Sequence, residues 1–366
     1  MTSPHRIPPN SASSAISLAA NWLRNCLEHH PECHVEKEAW LPTRLIDVGL
    51  ANSDANTKLV LSSDIPKDID TLPAYLALSH RWGASTIFTL KTTNQDRLIQ
   101  RIPMEQLSTT FQDAIYFTRR LNIRYLWIDS LCIAQDSLSD WETESALMGK
   151  VYKHSLCNIA ASAAYDATGF YQHRDLQTIN SILTVRMRIR RKNHEGVYFL
   201  SLGNNTFSSV PPGPLHRRGW VFQERMLSPR SLHFSTQLFW ECRTLRACET
   251  YPQKMPQEVN FWSFNTKAKS WGKELRSDNA VRYWQDLLGT YIDCELTYPT
   301  DRLVAFSGIA QEFQPVLRDK YLAGMWWNQL PESLAWSIAP HNLYERAPDP
   351  WPTRPVTYRC KCGYLL

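Results

Sequence analysis

The chain has 366 residues, 43% of them hydrophobic, with 40 Lys and Arg against 35 Asp and Glu. That length suits one large domain or about two ordinary ones around a sizeable core. A net charge of +5 over such a size is no nucleic-acid footprint, and the basic run Arg186–Lys192 reads as a solvated strand face.

No window of about 18 apolar residues marks a transmembrane helix. The polar, Pro-rich opening Met1–Asn10 lacks the apolar core of a secretory signal. Nine scattered cysteines, an odd number, suit reduced thiols in a cytoplasmic protein better than a disulfide framework.

Residues 1–13 are expected to be disordered. A helix is expected over about 14–30, ended by Pro31, with short strands at 44–48 and 58–62. Tyr75-Leu-Ala-Leu-Ser79 is an apolar strand, and Phe111, Ala114, Ile115 and Thr118 mark one face of a helix over about 110–121, with Thr110 and Asp113 as its cap. Arg124–Asp129 reads as a second buried strand. Ser139-Asp-Trp-Glu142 resembles a capping box that opens a helix with Trp141, Glu144, Met148, Val151 and Tyr152 at helical spacing. Cys157–Ala161 is a third strand. This β-α-β-α-β order predicts an α/β fold with a doubly wound, mostly parallel sheet over 75–162 and helices on both faces.

Further along, a hairpin is expected from 182–190 with 197–200, and a helix at about 219–227. Strands at 231–234 and 238–242 follow, then helices at 279–292 and 300–312 and a Pro-rich tail after about 340. Three segments result: an N-terminal extension over 1–74, a core domain over 75–225, and a C-terminal region over 226–366 packed on that core, its tail poorly ordered.

In open parallel sheets, ligands bind beyond the carboxyl ends of the strands. Ser79, His80, Arg81 and Trp82 follow the first strand, Asp129, Ser130, Cys132, Gln135 and Asp136 the second, and Ser162 the third. Ser79, Trp82, Asp129, Gln135 and Glu224 are expected at one rim. Asp129 could polarise a ligand or simply fix its own loop. Cys132 is a nucleophile only if a base or helix terminus lowers its pKa, and otherwise a small buried thiol. Glu144 falls on the core side of its helix, so it either pairs with Arg217, Arg218 or Arg225 or serves a ligand. Glu224 carries the same ambiguity. Trp220 and Gln223 share a helix face that could close over the rim.

Cys26, His29, His30, Cys33 and His34 are metal-ligand types, but their spacing fits no standard zinc pattern and Pro31 interrupts it. Cys360-Lys-Cys362 is weaker still, so no metal is expected. No P-loop, dinucleotide fingerprint, zinc-protease helix motif or nucleophile elbow is present.

Three segments carry a resemblance. Tyr75-Leu-Ala-Leu-Ser-His-Arg-Trp-Gly83 is similar to the first motif of the fungal heterokaryon incompatibility (HET) domain family. Trp127-Ile-Asp-Ser-Leu-Cys-Ile-Ala-Gln-Asp136, continuing through Trp141, Glu144, Met148 and Tyr152, is similar to the second. Arg218-Gly-Trp-Val-Phe-Gln-Glu-Arg-Met-Leu-Ser-Pro-Arg230 is similar to the third. The sequence departs at Ala134, where Asn is usual, at His80, where Tyr is common, and in its Pro- and Cys-bearing end. The resemblance implies an effector or signalling module in fungal self/non-self recognition and programmed cell death, with protein partners or self-association. It also implies a flavodoxin-like core likened to TIR domains, some of which cleave NAD with a Glu on a helix beside the sheet. By that analogy Glu144, with Asp129 and Glu224, is the catalytic candidate. Ser79, His80, Trp82, Cys132, Gln135, Asp136, Trp220 and Gln223 are ligand-binding candidates. NAD would be a substrate, Trp82 or Trp127 could stack on its base, and no cofactor is implied. A degenerate, inactive family member is the remaining alternative.

Overall fold

The computed structural model describes residues 12–34, 40–51, 56–65, 72–82, 88–162, 169–170, 182–189, 194–201, 214–235, 237–255 and 275–333. The expectations for residues 1–11, the loop before 214 and the tail after 340 lie outside them.

Helix α1 spans Ala12–His29, and strands β1 (Arg44–Asp47) and β2 (Lys58–Leu61) follow. The central unit comprises β3 (Tyr75–Ser79), α2 (Gln95–Gln100), α3 (Thr109–Arg120), β4 (Tyr125–Trp127), a single turn α4 (Asp129–Cys132), α5 (Leu138–His154) and β5 (Cys157–Ala160). Every residue of β3, β4 and β5 is buried, as expected for strands covered on both faces. Strands β6 (Ile182–Ile189) and β7 (His194–Ser201) form a separate antiparallel hairpin. Helix α6 (Gly219–Leu227) leads into the meander β8 (Arg230–Phe234), β9 (Leu238–Cys242) and β10 (Arg246–Cys248). Helices α7 (Ala280–Ile292) and α8 (Val304–Leu317) complete the larger elements.

The main sheet has eight strands in the order β10-β9-β8-β5-β3-β4-β1-β2. Pairs β4-β3, β3-β5 and β5-β8 are parallel. The expected parallel pairing of 75–79 with 125–127 is present, but a mostly parallel sheet is corrected to a mixed one. Both wings, β4-β1-β2 and β8-β9-β10, are antiparallel. The short β8–β9 and β9–β10 connections allow no crossover helix, and without one only antiparallel pairing is open to them. The sheet draws strands from 1–74 and 226–366 as well as from the centre.

Two caps differ from the sequence reading. Ser137, not Ser139, caps α5, accepting from Asp140 N at 3.3 Å. The Asp140 carboxylate is drawn away to Arg44 Nη2 at 2.8 Å, so it makes no reciprocal capping bond. Ser108, not Thr110, caps α3, and Asp113 accepts from Phe170 N at 2.8 Å.

Alternation along β3 directs Tyr75 and Ser79 to one face, where the Tyr75 hydroxyl donates to Val151 O of α5 at 2.6 Å. The other face meets α3, whose Phe117 packs edge-on against Phe234 of β8 at 5.1 Å. Outside α5 and α6 lies a second core. There Trp284 of α7 meets Phe306, Phe313, Tyr321 and Trp326 with centroids 5.0–5.7 Å apart. This aromatic core presses α8 onto α5 and α6. The crossing needs glycine: a Cβ on Gly308 would meet Gly149 Cα at 2.9 Å and Gln223 Oε1 at 2.7 Å. Overpacking of this kind costs about 1–3 kcal/mol. Gly308→Ala is therefore expected to lower the urea midpoint by that equivalent, read by circular dichroism; an unchanged midpoint would show that the helices can separate freely.

Candidate active site at the sheet rim

Among the parallel strands, β4-β3-β5-β8, chain order reverses between β3 and β5. Loops leave in opposite directions from such a point, opening space beyond the carboxyl ends. Ser79 ends β3 there. Its hydroxyl donates to Asn158 Oδ1 of β5 at 3.1 Å and makes a short hydrogen bond to Glu224 Oε2 of α6. Glu224 is held by its neighbours in sequence. Gln223 Oε1 accepts from Gly308 N of α8 at 2.7 Å, while Arg225 forks onto Glu241 of β9 at 2.9 and 3.0 Å. With one residue tied outward and the next tied to the sheet, Glu224 has little freedom to leave Ser79.

Burial pushes the Glu224 carboxyl up to about 7; the charge of Asp129 adds to this, while Ser79, Arg218 and the nearby Tyr152 hydroxyl oppose it. Tyr152 itself donates to Leu78 O at 3.1 Å, and burial raises its pKa well above the usual phenol range. A carboxyl balanced near neutral pH can hold or release a proton under working conditions.

Beside it stands a second group. Asp129 opens α4, accepting from Ser130 N at 2.6 Å and from Trp82 Nε1 at 3.0 Å. His80 Nδ1 lies 3.5 Å from Asp129 Oδ1, and the His80 ring stacks near Trp82 at 6.4 Å. Burial lowers the His80 pKa, Asp129 opposes this and Arg218 reinforces it, and the balance favours the neutral ring. His80 Nε2 and Asn158 Nδ2 are buried without a hydrogen-bond partner among the described residues. Arg218, just before α6, donates to His80 O at 2.7 Å and brings its positive charge to the rim. Its segment is fixed by Gly219 N to Glu295 O at 2.8 Å. Trp82 is the one member with a substantially open face, at 37% exposure.

Residues 75–224 match the family model described as Heterokaryon incompatibility protein (HET). Over that span, less than half of its length, the chain is similar to the HET family. No curated protein and no solved structure matches the chain. The rim residues from Ser79 through Glu224 all fall inside the matched span.

Within the matched span, Ser79, His80, Trp82, Asp129 and Glu224 are brought together. Gln135 supports them from behind: its Nε2 donates to Asp129 O at 3.3 Å and to Ile133 O at 3.0 Å. Asp136 is a loop anchor, accepting from Thr92 N and Oγ1 at 2.8 Å each.

Others lie elsewhere. Glu144 faces β1, with Arg44 Nη1 4.0 Å away, so the partner expected among Arg217, Arg218 and Arg225 is corrected to Arg44. Arg44 also forks onto Asp140 at 2.8 and 3.1 Å. Cys132 is fully buried, and desolvation pushes its thiol up to about 12, the wrong direction for a nucleophile. Trp220 Nε1 donates to Asp301 Oδ2 at 3.2 Å and Gln223 turns to α8, so their shared face packs outward and does not close over the rim. Trp127 is fully buried against Tyr152 and has no free face for a base.

Sequence reasoning passed over Tyr152, Asn158 and Arg218 as rim residues. Asn158 left a signal, a lone amide in an apolar parallel strand. Tyr152 was counted as helix core, and only the tertiary path of α5 carries its hydroxyl to the strand end.

Proposed function

We propose that the protein is an effector of fungal self/non-self incompatibility and cell death, and that it acts by cleaving NAD at this rim, with Glu224 as the working carboxyl. The single observation that carries the reading is the Ser79–Glu224 pair at the reversal point of the parallel strands, its carboxyl balanced near neutral pH. The order β4-β3-β5-β8 is the partial 2-1-3-4 order of flavodoxin-like sheets, which supports the TIR-like comparison on topology alone. The Glu assigned by analogy moves from Glu144 to Glu224.

Hydrolysis breaks the bond between nicotinamide nitrogen and ribose C1′. The pyridinium leaves with the bonding pair as neutral nicotinamide, and the sugar passes through an oxocarbenium-like state. The Glu224 carboxylate offsets that positive charge and accepts the proton of the water that adds at C1′. Trp82 offers its open face to a base, and Arg218 a cation to the diphosphate.

In a fungal host, induced expression is expected to arrest growth as cellular NAD falls. Growth arrest at constant NAD would instead favour signalling through protein contact. Trp82→Ala is expected to raise KM for NAD about tenfold, the loss of one stacking contact of roughly 1–3 kcal/mol, with a smaller change in kcat. An unaltered KM would remove Trp82 from the binding surface.

A further inference from the structure

We infer that the protein holds a structural zinc ion between α1 and β9, ligated by Cys26, His30, Cys33 and Cys242. One ligand atom from each of these residues lies within 4.8 Å of the others. Zinc bound to three thiolates and one imidazole is tetrahedral with Zn–S of about 2.3 Å, which puts neighbouring sulfurs roughly 3.8 Å apart. Small side-chain rotations close the observed set to that geometry.

The local chain makes the site. Cys26 and His30 are four residues apart at the end of α1, so they share a face. Pro31 does not break the pattern. It opens a 3-10 turn over Pro31–Cys33, with Cys33 N bonded to His30 O at 3.0 Å, and this turn folds Cys33 back beside Cys26. The fourth ligand comes from the far end of β9, where Cys242 Sγ lies 3.4 Å from His30 Nδ1. His29 and His34 are exposed and bond to nearby backbone carbonyls instead.

The surroundings suit a thiolate cluster. All three sulfurs are buried, and none of these cysteines is in a disulfide. Arg230 Nε donates to Cys26 Sγ at 3.2 Å, and Leu245 N to Cys242 Sγ at 3.1 Å. Three thiolates with Zn²⁺ carry a net −1, which the buried Arg230 and the half-buried Arg243 can balance. Donors aimed at ligand atoms are what orients a metal's first ligands. Sulfur-rich tetrahedral sets select zinc among common divalent ions. Binding displaces the protons of the thiols, one per sulfur.

The ion would join a helix that precedes the HET-matched span to a strand that follows it, beside the Trp22–Trp240 contact at 6.2 Å. It is remote in role from the rim and independent of the NAD reading.

The test is metal analysis of the full chain, purified under reducing conditions without added metal. About one zinc per chain is expected, with Cys242→Ser reduced at least tenfold and Cys248→Ser unchanged, since Cys248 is buried elsewhere. If Cys242→Ser does not fold, cobalt(II) exchange into the unaltered protein decides. Intense visible d–d bands with sulfur-to-cobalt charge transfer are expected. Zinc below about 0.1 per chain together with no cobalt bands would overturn the inference, as would equal zinc loss in Cys248→Ser.

Discussion

Glu224→Gln is expected to lower NAD cleavage by about 10²- to 10⁴-fold, the span associated with a positioned acid–base group, while making the protein more stable at alkaline pH. Gln keeps the shape and can still accept from Ser79, so the fold has no steric reason to fail. The stability gain follows from linkage. The folded-state pKa of Glu224 lies at about 7, above its ordinary value of 4.5. Between those values the folded protein binds more protons than the unfolded chain, so stability falls as pH rises from about 4.5 through about 7. Above that window the ionised, buried carboxylate costs up to roughly 3 kcal/mol, at 1.36 kcal/mol per pKa unit. The neutral amide has no such cost. Melts of the two proteins should therefore agree near pH 4.5 and diverge by pH 8, with the variant higher. A variant that melts lower at every pH, with activity falling in step, would make Glu224 a structural ion. Functional groups are often held at the expense of stability, and this difference measures it.

The second large effect is expected at Glu241. It is almost wholly buried, with Arg225 forked onto it, His233 Nε2 at 3.5 Å and Arg246 Nε at 3.6 Å. Removing one partner of a buried ion pair leaves the remaining charge uncompensated, at about 3–5 kcal/mol. Glu241→Ala should lose that much in denaturant unfolding, because two guanidinium groups share this carboxylate. It should also weaken NAD cleavage, since Arg225 fixes the α6 turn that aims Glu224. A loss below about 1 kcal/mol would mean that the arginines reach water or other acceptors once Glu241 is gone.

Much of the architecture was legible from local pattern. The runs Tyr75–Ser79, Arg124–Asp129 and Cys157–Ala161 are short, apolar and separated by helical spacing, so three adjacent parallel strands could be expected. The helix of the third motif was expected at about 219–227, and α6 spans Gly219–Leu227. The rim was legible too, because the topology of parallel strands says where polar residues at strand ends must gather. What sequence could not give was anything that depends on which distant segment lands alongside. Arg44 reaches Glu144 only because β1 pairs with β4, three strands later in chain order. The same cause hid the cysteine cluster. Cys26, His30 and Cys33 look incomplete alone, and Cys242 joins them only through the β8–β9 hairpin. The cap of α3 was misplaced because Asp113 is drawn to Phe170 instead of back to its helix end, and that of α5 because the helix begins two residues earlier, leaving Ser139 inside its first turn behind Ser137.

The most direct measurement is release of nicotinamide from NAD by the purified protein across pH 5.5 to 8.5. Cleavage that rises with an apparent pKa near 7 and disappears in Glu224→Gln, with Glu144→Gln retaining it, is the expected result. Absence of release at every pH, or release that survives Glu224→Gln and vanishes in Glu144→Gln, would contradict the assignment of the rim carboxyl.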